Sequence, residues 1–141
     1  MRRRQWRAAV VILALLCAAG CLWRSYGTIL GVHLDVLTQT AEKLVSVAQS
    51  GRGLTTEGMA EYVYPAKRGR EFLRQFRSYS GRRSYQQFGQ FLDRYDAFVK
   101  NADMARSQGS DGRDIVPTLA AERDALIQIA AAIRRDLEAG D

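Results

Sequence analysis

Apolar residues recur at helical intervals in four successive segments of this 141-residue chain, with alternating intervals of three and four in the first three, and a glycine follows each segment. The glycines are Gly51, Gly81, Gly109 and Gly140. This interval places apolar side chains along one stripe of an α-helix, and glycine commonly ends a helix. No alternating pattern typical of β-strands persists along the chain. The sequence therefore predicts an all-α protein with four amphipathic helices.

The four helices are predicted at about 26–50, 55–80, 84–107 and 115–138. The first carries the longest stripe, which consists of Gly27, Leu30, Leu34, Leu37, Ala41, Leu44 and Ala48. The second carries a stripe of Met59, Tyr62, Ala66, Gly69, Leu73 and Phe76. Helices of this length joined by short loops pack as antiparallel neighbours. Residues 25–141 are therefore expected to form an antiparallel four-helix bundle.

Local signals refine the boundaries of these helices. Pro65 lies inside the second stripe, where we expect either a kink or a break at which a new helix opens. Ser84 and Gln87 have the spacing of a capping box at the start of the third helix. Pro117 is compatible only with the first turn of the fourth helix.

A cationic head and an apolar run open the chain. Four arginines precede the uncharged run Ala8–Trp23, and Arg24 closes it. This order is typical of an export signal or a membrane anchor whose positive end stays in the cytoplasm. We therefore divide the chain into a signal or anchor segment, 1–24, and an extracytoplasmic bundle, 25–141. The first bundle helix is expected to continue the membrane helix, because its apolar spacing extends back to Trp23 and Gly20.

Three interpretations of the first segment stay open. The leading one is an uncleaved, single-pass anchor in the inner (cytoplasmic) membrane. In the second, Ala18-Ala19-Gly20-Cys21 is a lipoprotein cleavage site and Cys21 becomes lipidated. In the third, the same small residues form an ordinary cleavage site and the domain is secreted. A 16-residue helix covers roughly 24 Å, which is short against about 30 Å of hydrocarbon.

The net charge of +6 belongs mostly to the N-terminus. Five of the 21 basic residues flank the apolar run, and all 15 acidic residues follow it. Residues 25–141 thus hold 16 basic against 15 acidic residues, a net charge of +1. This balance and the export address argue against nucleic acid as a partner.

The chain lacks the residues that common catalytic and metal sites need. Cys17 and Cys21 both lie in the apolar run, so the bundle has neither a disulfide framework nor a thiolate metal site. His33 is the only histidine, which excludes a di-iron site and leaves one base for any triad. We expect His33 to lie partly exposed beside the first stripe. Asp93 and Asp96 are interpreted as part of a solvated face. We therefore predict no enzyme activity, no metal and no cofactor.

One surface shows a local charge bias. Residues 67–83 contain seven basic side chains opposed by Glu71 alone. Six of them form the candidate anion-binding site, called here the basic stripe: Lys67, Arg70, Arg74, Arg77, Arg82 and Arg83. The planar fork of arginine suits carboxylate and phosphate groups. The alternative is that this stripe pairs with acidic faces of the third and fourth helices.

These features lead to two functional hypotheses. The first is a membrane-attached extracytoplasmic interaction or sensing module without catalytic activity. Its sustained apolar spacing favours a homodimer or a helical protein partner. The second is a binding protein for an anionic ligand, a lipid headgroup or an acidic partner, through the basic stripe. The layout resembles the extracytoplasmic four-helix sensor domains of bacterial receptors in architecture alone.

Overall fold

The computed structural model of the chain describes the backbone of residues 2–50, 54–107 and 114–140, with side chains from Tyr26 onwards. All regular elements of these residues are helical. They are α1 (Arg2–Gln49), α2 (Thr56–Gln75), a 3₁₀ helix (Arg77–Tyr79), α3 (Arg83–Ser107) and α4 (Val116–Glu138). The prediction of an all-α chain with four main helices is confirmed.

The four helices form an antiparallel bundle in which each packs against two neighbours. α1 and α3 both contact α2 and α4. Lys43 of α1 pairs with Glu61 early in α2, at a distance of 2.6 Å. The ring of Tyr26, much earlier in α1, packs at a tilt against Phe76 just beyond the end of α2, with centroids 5.6 Å apart. These crossed contacts require the two helices to run in opposite directions, as short connections predict.

The predicted stripe of α1 forms one side of the core. Its members Leu30, Leu34, Leu37, Ala41, Leu44 and Ala48 are all inaccessible to solvent. Burying one leucine side chain contributes about 1.5–3 kcal/mol, so this row is a major source of stability. Gly27, which opens the predicted stripe, is only partly buried.

The stripe of α2 follows the prediction as far as Gly69 and then changes phase. Phe72 is buried in the core, whereas the predicted member Leu73 is only partly buried. Gly69 lies so close to α3 that a β-carbon there would come within 2.8 Å of Leu92 and 3.2 Å of Phe88. The small residue therefore allows the two helices to approach, and the Phe72 ring fills the space beyond.

Pro65 does not break α2, which continues from Thr56 to Gln75. Proline has no N–H, so the Glu61 carbonyl one turn earlier loses its helical donor. The hydroxyl of Tyr95 in α3 donates to the neighbouring Tyr62 carbonyl at 2.9 Å. Burial raises the pKa of the Tyr95 phenol, so the hydroxyl keeps the proton that it donates. A tyrosine from α3 thus braces α2 beside its proline.

The second helix ends at Gln75, before the predicted end near residue 80. Beyond it the backbone tightens, with Tyr79 N–H donating to Phe76 O at 2.9 Å and Ser80 N–H donating to Arg77 O at 3.1 Å. This 3₁₀ geometry lets the Tyr79 ring stack on Tyr26 with centroids 4.5 Å apart and planes 10° apart. Packing against α1 therefore overrides the helical pattern that the sequence suggested.

The predicted capping box at the start of α3 is not formed. The helix begins at Arg83, and the buried Gln87 Oε1 has no hydrogen-bond partner among the described residues. Ser84 is buried instead, with its Oγ 3.4 Å from the Tyr26 hydroxyl. By contrast, α2 has an N-cap, because Thr55 Oγ1 accepts from Gly58 N–H at 3.0 Å.

The remaining predictions concern the ends of the helices and the N-terminal segment. Gly140 has a φ of 82° after α4, as its role at a helix end requires, and Pro117 lies in the first turn of that helix. Gly51, Gly109 and the side chains of residues 1–25, Cys21 among them, lie outside the described residues. Where the structure describes side chains, no helix is long and apolar enough to cross a membrane.

Substitution of two helical glycines by alanine should have opposite effects on stability. Gly69→Ala should lower the midpoint of thermal unfolding, because overpacking against Leu92 and Phe88 outweighs the gain of about 1 kcal/mol in helix propensity. Gly31→Ala should raise it, since a β-carbon at Gly31 meets nothing within 4 Å. Circular dichroism melts of both variants test this. Equal stabilisation by both would contradict the close approach of α2 and α3.

Candidate functional site

The structure divides the basic stripe into two parts. Lys67, Arg70 and Arg74 lie on α2, on a flank next to α3. The other three belong to the chain reversal between α2 and α3: Arg77 opens the 3₁₀ helix, Arg82 precedes α3 and Arg83 begins it. We call the first part the α2 groove and residues 76–83 the α2–α3 turn.

The α2 groove is an open depression of about 630 Å³ between α2 and α3. Its lining combines charged and apolar side chains, namely Val63, Lys67, Arg70, Leu73, Arg74 and Asp96. Two smaller depressions of about 180 and 230 Å³ lie between α3 and α4. Each of these two depressions is lined by a single basic residue, Arg94, whereas the α2 groove is lined by three.

Arg70 is neutralised by α3. Its Nη2 donates to Asp93 Oδ1 at 3.0 Å and to Asp96 Oδ2 at 2.5 Å. The two carboxylates raise the pKa of the guanidinium, with Asp96 as the larger cause. Exposed ion pairs contribute only about 0–1 kcal/mol each, so the main effect is to hold the arginine in place. For Arg70, pairing with an acidic helix face is the interpretation that the geometry favours.

Lys67 and Arg74 flank that neutralised centre. Both are exposed, and within the described part of the chain neither has an ion pair or a side-chain hydrogen bond. Glu71 lies one helical turn after Lys67, but its carboxylate accepts from Arg68 at 2.8 Å instead. Seven residues separate the two cations, which is about 10 Å along the helix axis. The groove therefore presents two uncompensated charges beside apolar Val63.

Two arginines of the α2–α3 turn contact α4 or the residues just after it. Arg82 Nη1 donates to the Gly140 carbonyl at 3.4 Å. Arg83 Nε lies 3.4 Å from Asp136 Oδ2, an oxygen that accepts no hydrogen bond from the described residues. These contacts tie the turn to the end of α4. Arg77 is exposed and has no such contact within the described residues.

His33 lies beside the α1 stripe, partly buried as expected. Its ring packs against Phe72 and Phe88, with centroid distances of 5.1 and 6.2 Å. Burial, and secondly the charge of Arg68, lower the pKa of the imidazole below its ordinary 6.5. The histidine is therefore neutral near pH 7 and acts as an aromatic packing residue.

Asp93, Asp96 and two other surface carboxylates are engaged in ion pairs. Asp93 and Asp96 hold Arg70, Glu61 holds Lys43, and Asp103 accepts from Arg106 at 2.8 Å. Across the described ranges, no group of three or more histidine, cysteine or acidic side chains could hold a metal ion. The chemistry open to the α2 groove is binding of an anion that carries an apolar part.

A second surface was missed by the sequence analysis. Ile29, Val32 and Val36 of α1 are 39%, 56% and 43% exposed, although all three are large and apolar. Their spacing of three and four places them on one face of α1, away from the buried stripe. We call them the outer row of α1. These three residues have helical spacing in the sequence, but the prediction for this helix rested on its longer apolar stripe alone.

Comparisons with protein family models, curated proteins and solved structures find no match for this chain.

The stability of the bundle should depend on pH through His33. A lowered folded pKa means that the unfolded chain binds the proton more readily. The contribution of neutral His33 is therefore complete above about pH 6.5 and is lost as the pH falls through the folded value. His33→Gln should reduce the fall in unfolding free energy between about pH 7.5 and about pH 5.5. Urea unfolding followed by circular dichroism measures both proteins. An unchanged pH dependence would contradict this assignment.

Proposed function

We propose that this chain is a membrane-attached, extracytoplasmic helical module that acts by association and not by catalysis, and that its partner is a second copy. The observation that carries the proposal is the outer row of α1, which is apolar and exposed. Soluble helices seldom present large apolar side chains at helical spacing unless another surface covers them.

The sequence before the outer row supports a second copy as the occupant. Ser25, Cys21, Ala18 and Ala14 precede Ile29 at intervals of four, four, three and four. On one helix, residues at these intervals share a face, and small residues allow membrane helices to approach closely. α1 is one helix from Arg2 to Gln49. A parallel pair of α1 helices would cover this face along both its apolar segment and its outer row.

Membrane attachment rests on the cationic head and the apolar run Ala8–Trp23, for which the anchor is the leading interpretation. Two copies anchored in one membrane have the same orientation, which a parallel two-fold pair requires. Lipidation of Cys21 would keep the domain at a membrane without the spanning helix. Cleavage would leave residues 21–141, with only Ser25 and Cys21 before the outer row.

A disulfide should trap the proposed pair. In a Cys17→Ser, Cys21→Ser background, Val32→Cys should give a covalent dimer on mild oxidation of membranes, because a two-fold axis brings each residue to its own counterpart. Glu42→Cys is the matched control, since Glu42 is an exposed α1 residue off the outer row. Non-reducing gels measure both. Equal cross-linking would contradict the pairing.

Two further measurements complete this test. Val32→Glu should weaken dimerisation by about tenfold or more, because a buried and unpaired charge costs more than 1.4 kcal/mol. Intact mass of the native membrane-extracted protein separates the three N-terminal forms: full length, lipidated at Cys21, or cleaved. A cleaved and soluble product would overturn the membrane part of the proposal.

A second candidate function is favoured by the α2 groove, namely binding of an anionic amphiphile. Lys67 and Arg74 supply uncompensated charge there, and Val63 and Leu73 supply apolar surface. Arg70 would position the ligand only indirectly, because Asp93 and Asp96 already satisfy it.

Binding of octyl phosphate tests this second candidate. Lys67→Gln and Arg74→Gln should each weaken binding by about tenfold, the value of a typical hydrogen bond to a charged group. The double variant Asp93→Asn, Asp96→Asn should strengthen it, because it releases the Arg70 guanidinium. Arg135→Gln, an exposed arginine of α4, is the control. Titration calorimetry of the full chain in detergent reports each affinity. Equal affinities for all the variants would exclude the groove as the site.

A further inference from the structure

The α2–α3 turn lies at the end of the bundle where α1 enters it. Tyr26 is the first residue of α1 whose side chain is described, and it is fully buried. Its ring stacks on Tyr79 at 4.5 Å and lies 5.6 Å from the Phe76 ring. Its hydroxyl is 3.4 Å from Ser84 Oγ. Two residues of the turn, and Ser84 directly after it, therefore pack against the same point of α1.

That point is close to the end of the apolar run. Tyr26 follows Trp23 by three residues, which is about 4.5 Å along a helix. The headgroup layer on each side of a bilayer is about 5–8 Å thick, from the difference between its full and hydrocarbon thickness. If α1 spans a membrane as far as Trp23, the turn stands at the height of the lipid headgroups.

The turn has the composition of a surface for anions. Residues 76–83 read FRSYSGRR, with three arginines and no acidic residue. The residues Arg77, Ser78, Ser80, Gly81, Arg82 and Arg83 are exposed. The Arg83 side chain remains 72% exposed although it lies near Asp136. Arginine and serine side chains both donate hydrogen bonds to phosphate oxygens.

We propose that the α2–α3 turn docks on anionic phospholipid headgroups of the membrane that holds α1. The proposal rests on the proposed membrane attachment and adds a second contact with the same membrane. A helix that leaves a bilayer fixes neither the tilt nor the rotation of the domain that follows it. Arginines near an anionic surface are attracted to it, so the docked turn would set the orientation of the bundle.

The orientation has a consequence for the outer row of α1. Tyr26 and the turn lie on the buried side of α1, whereas Ile29, Val32 and Val36 lie on its exposed side. Docking of the turn would therefore leave the outer row accessible to a second copy. The two surfaces can act together because they use different sides of one helix.

A fluorophore in the turn tests the proposal. The full chain, with Cys17→Ser, Cys21→Ser and Ser80→Cys, is labelled with an environment-sensitive dye and placed in nanodiscs. In discs containing phosphatidylglycerol the emission should shift to the blue relative to phosphatidylcholine discs, and added salt should reverse the shift. The same dye at Gln49→Cys, near the far end of α1, should not respond.

Arginine variants identify the groups responsible. Arg77→Gln, Arg82→Gln and Arg83→Gln should each reduce the ratio of docked to undocked turn by about fivefold, the effect expected for one arginine at an anionic surface. Lys100→Gln on α3 is the matched control, because it removes an exposed charge remote from the turn. An equal loss with Lys100→Gln would mean that total charge, and not the turn, is responsible, and would overturn the proposal.

The outcomes separate this proposal from the proposed membrane attachment. If the protein does not stay with the discs through gel filtration, the attachment fails. If it stays but the Ser80 label is the same in both lipids, only the docking fails. If inorganic phosphate in phosphatidylcholine discs reproduces the shift at equal ionic strength, the ligand is a soluble anion and headgroup docking is overturned.

Discussion

The stacking of Tyr26 against Tyr79 is the contact on which the arrangement of this bundle depends. This contact favours a tighter backbone after α2, so that α2 ends at Gln75 and a 3₁₀ helix follows. The Tyr26 ring also stacks on Phe72 at 5.5 Å, which explains why Phe72 occupies the core there and Leu73 does not. The same contact joins the first bundle turn of α1 to the chain reversal between α2 and α3.

The division of the basic stripe follows from that contact. A straight α2 would have carried Arg77 along the same flank as Lys67 and Arg74, as the interval of three and four suggested. Because the helix stops at Gln75, Arg77 joins Arg82 and Arg83 at the end of the bundle. One cationic stripe in the sequence thus becomes two surfaces, a groove beside α3 and a turn beside the start of α1.

The sequence predicted what depends on a single helix. The buried face of α1 and the place of Pro117 follow from local intervals and backbone chemistry. Contacts between helices could not be predicted from the sequence. The ion pairs of Arg70 with Asp93 and Asp96 depend on the register of α2 against α3. The spacing of residues within either helix does not determine that register. Ser84 has a good capping spacing, but the helix begins one residue earlier, at Arg83.

Pro65 and Tyr95 together give α2 two halves with different attachments. Before the proline, α2 is held by Lys43 on α1 and by the Tyr95 hydroxyl on the Tyr62 carbonyl. After it, Gly69 and Phe72 pack against α3 and the Tyr26 cluster. The missing N–H at Pro65 interrupts the hydrogen-bond ladder between these halves. Amide exchange can therefore proceed by separate openings on either side of the proline, so that α2 need not unfold as one cooperative unit.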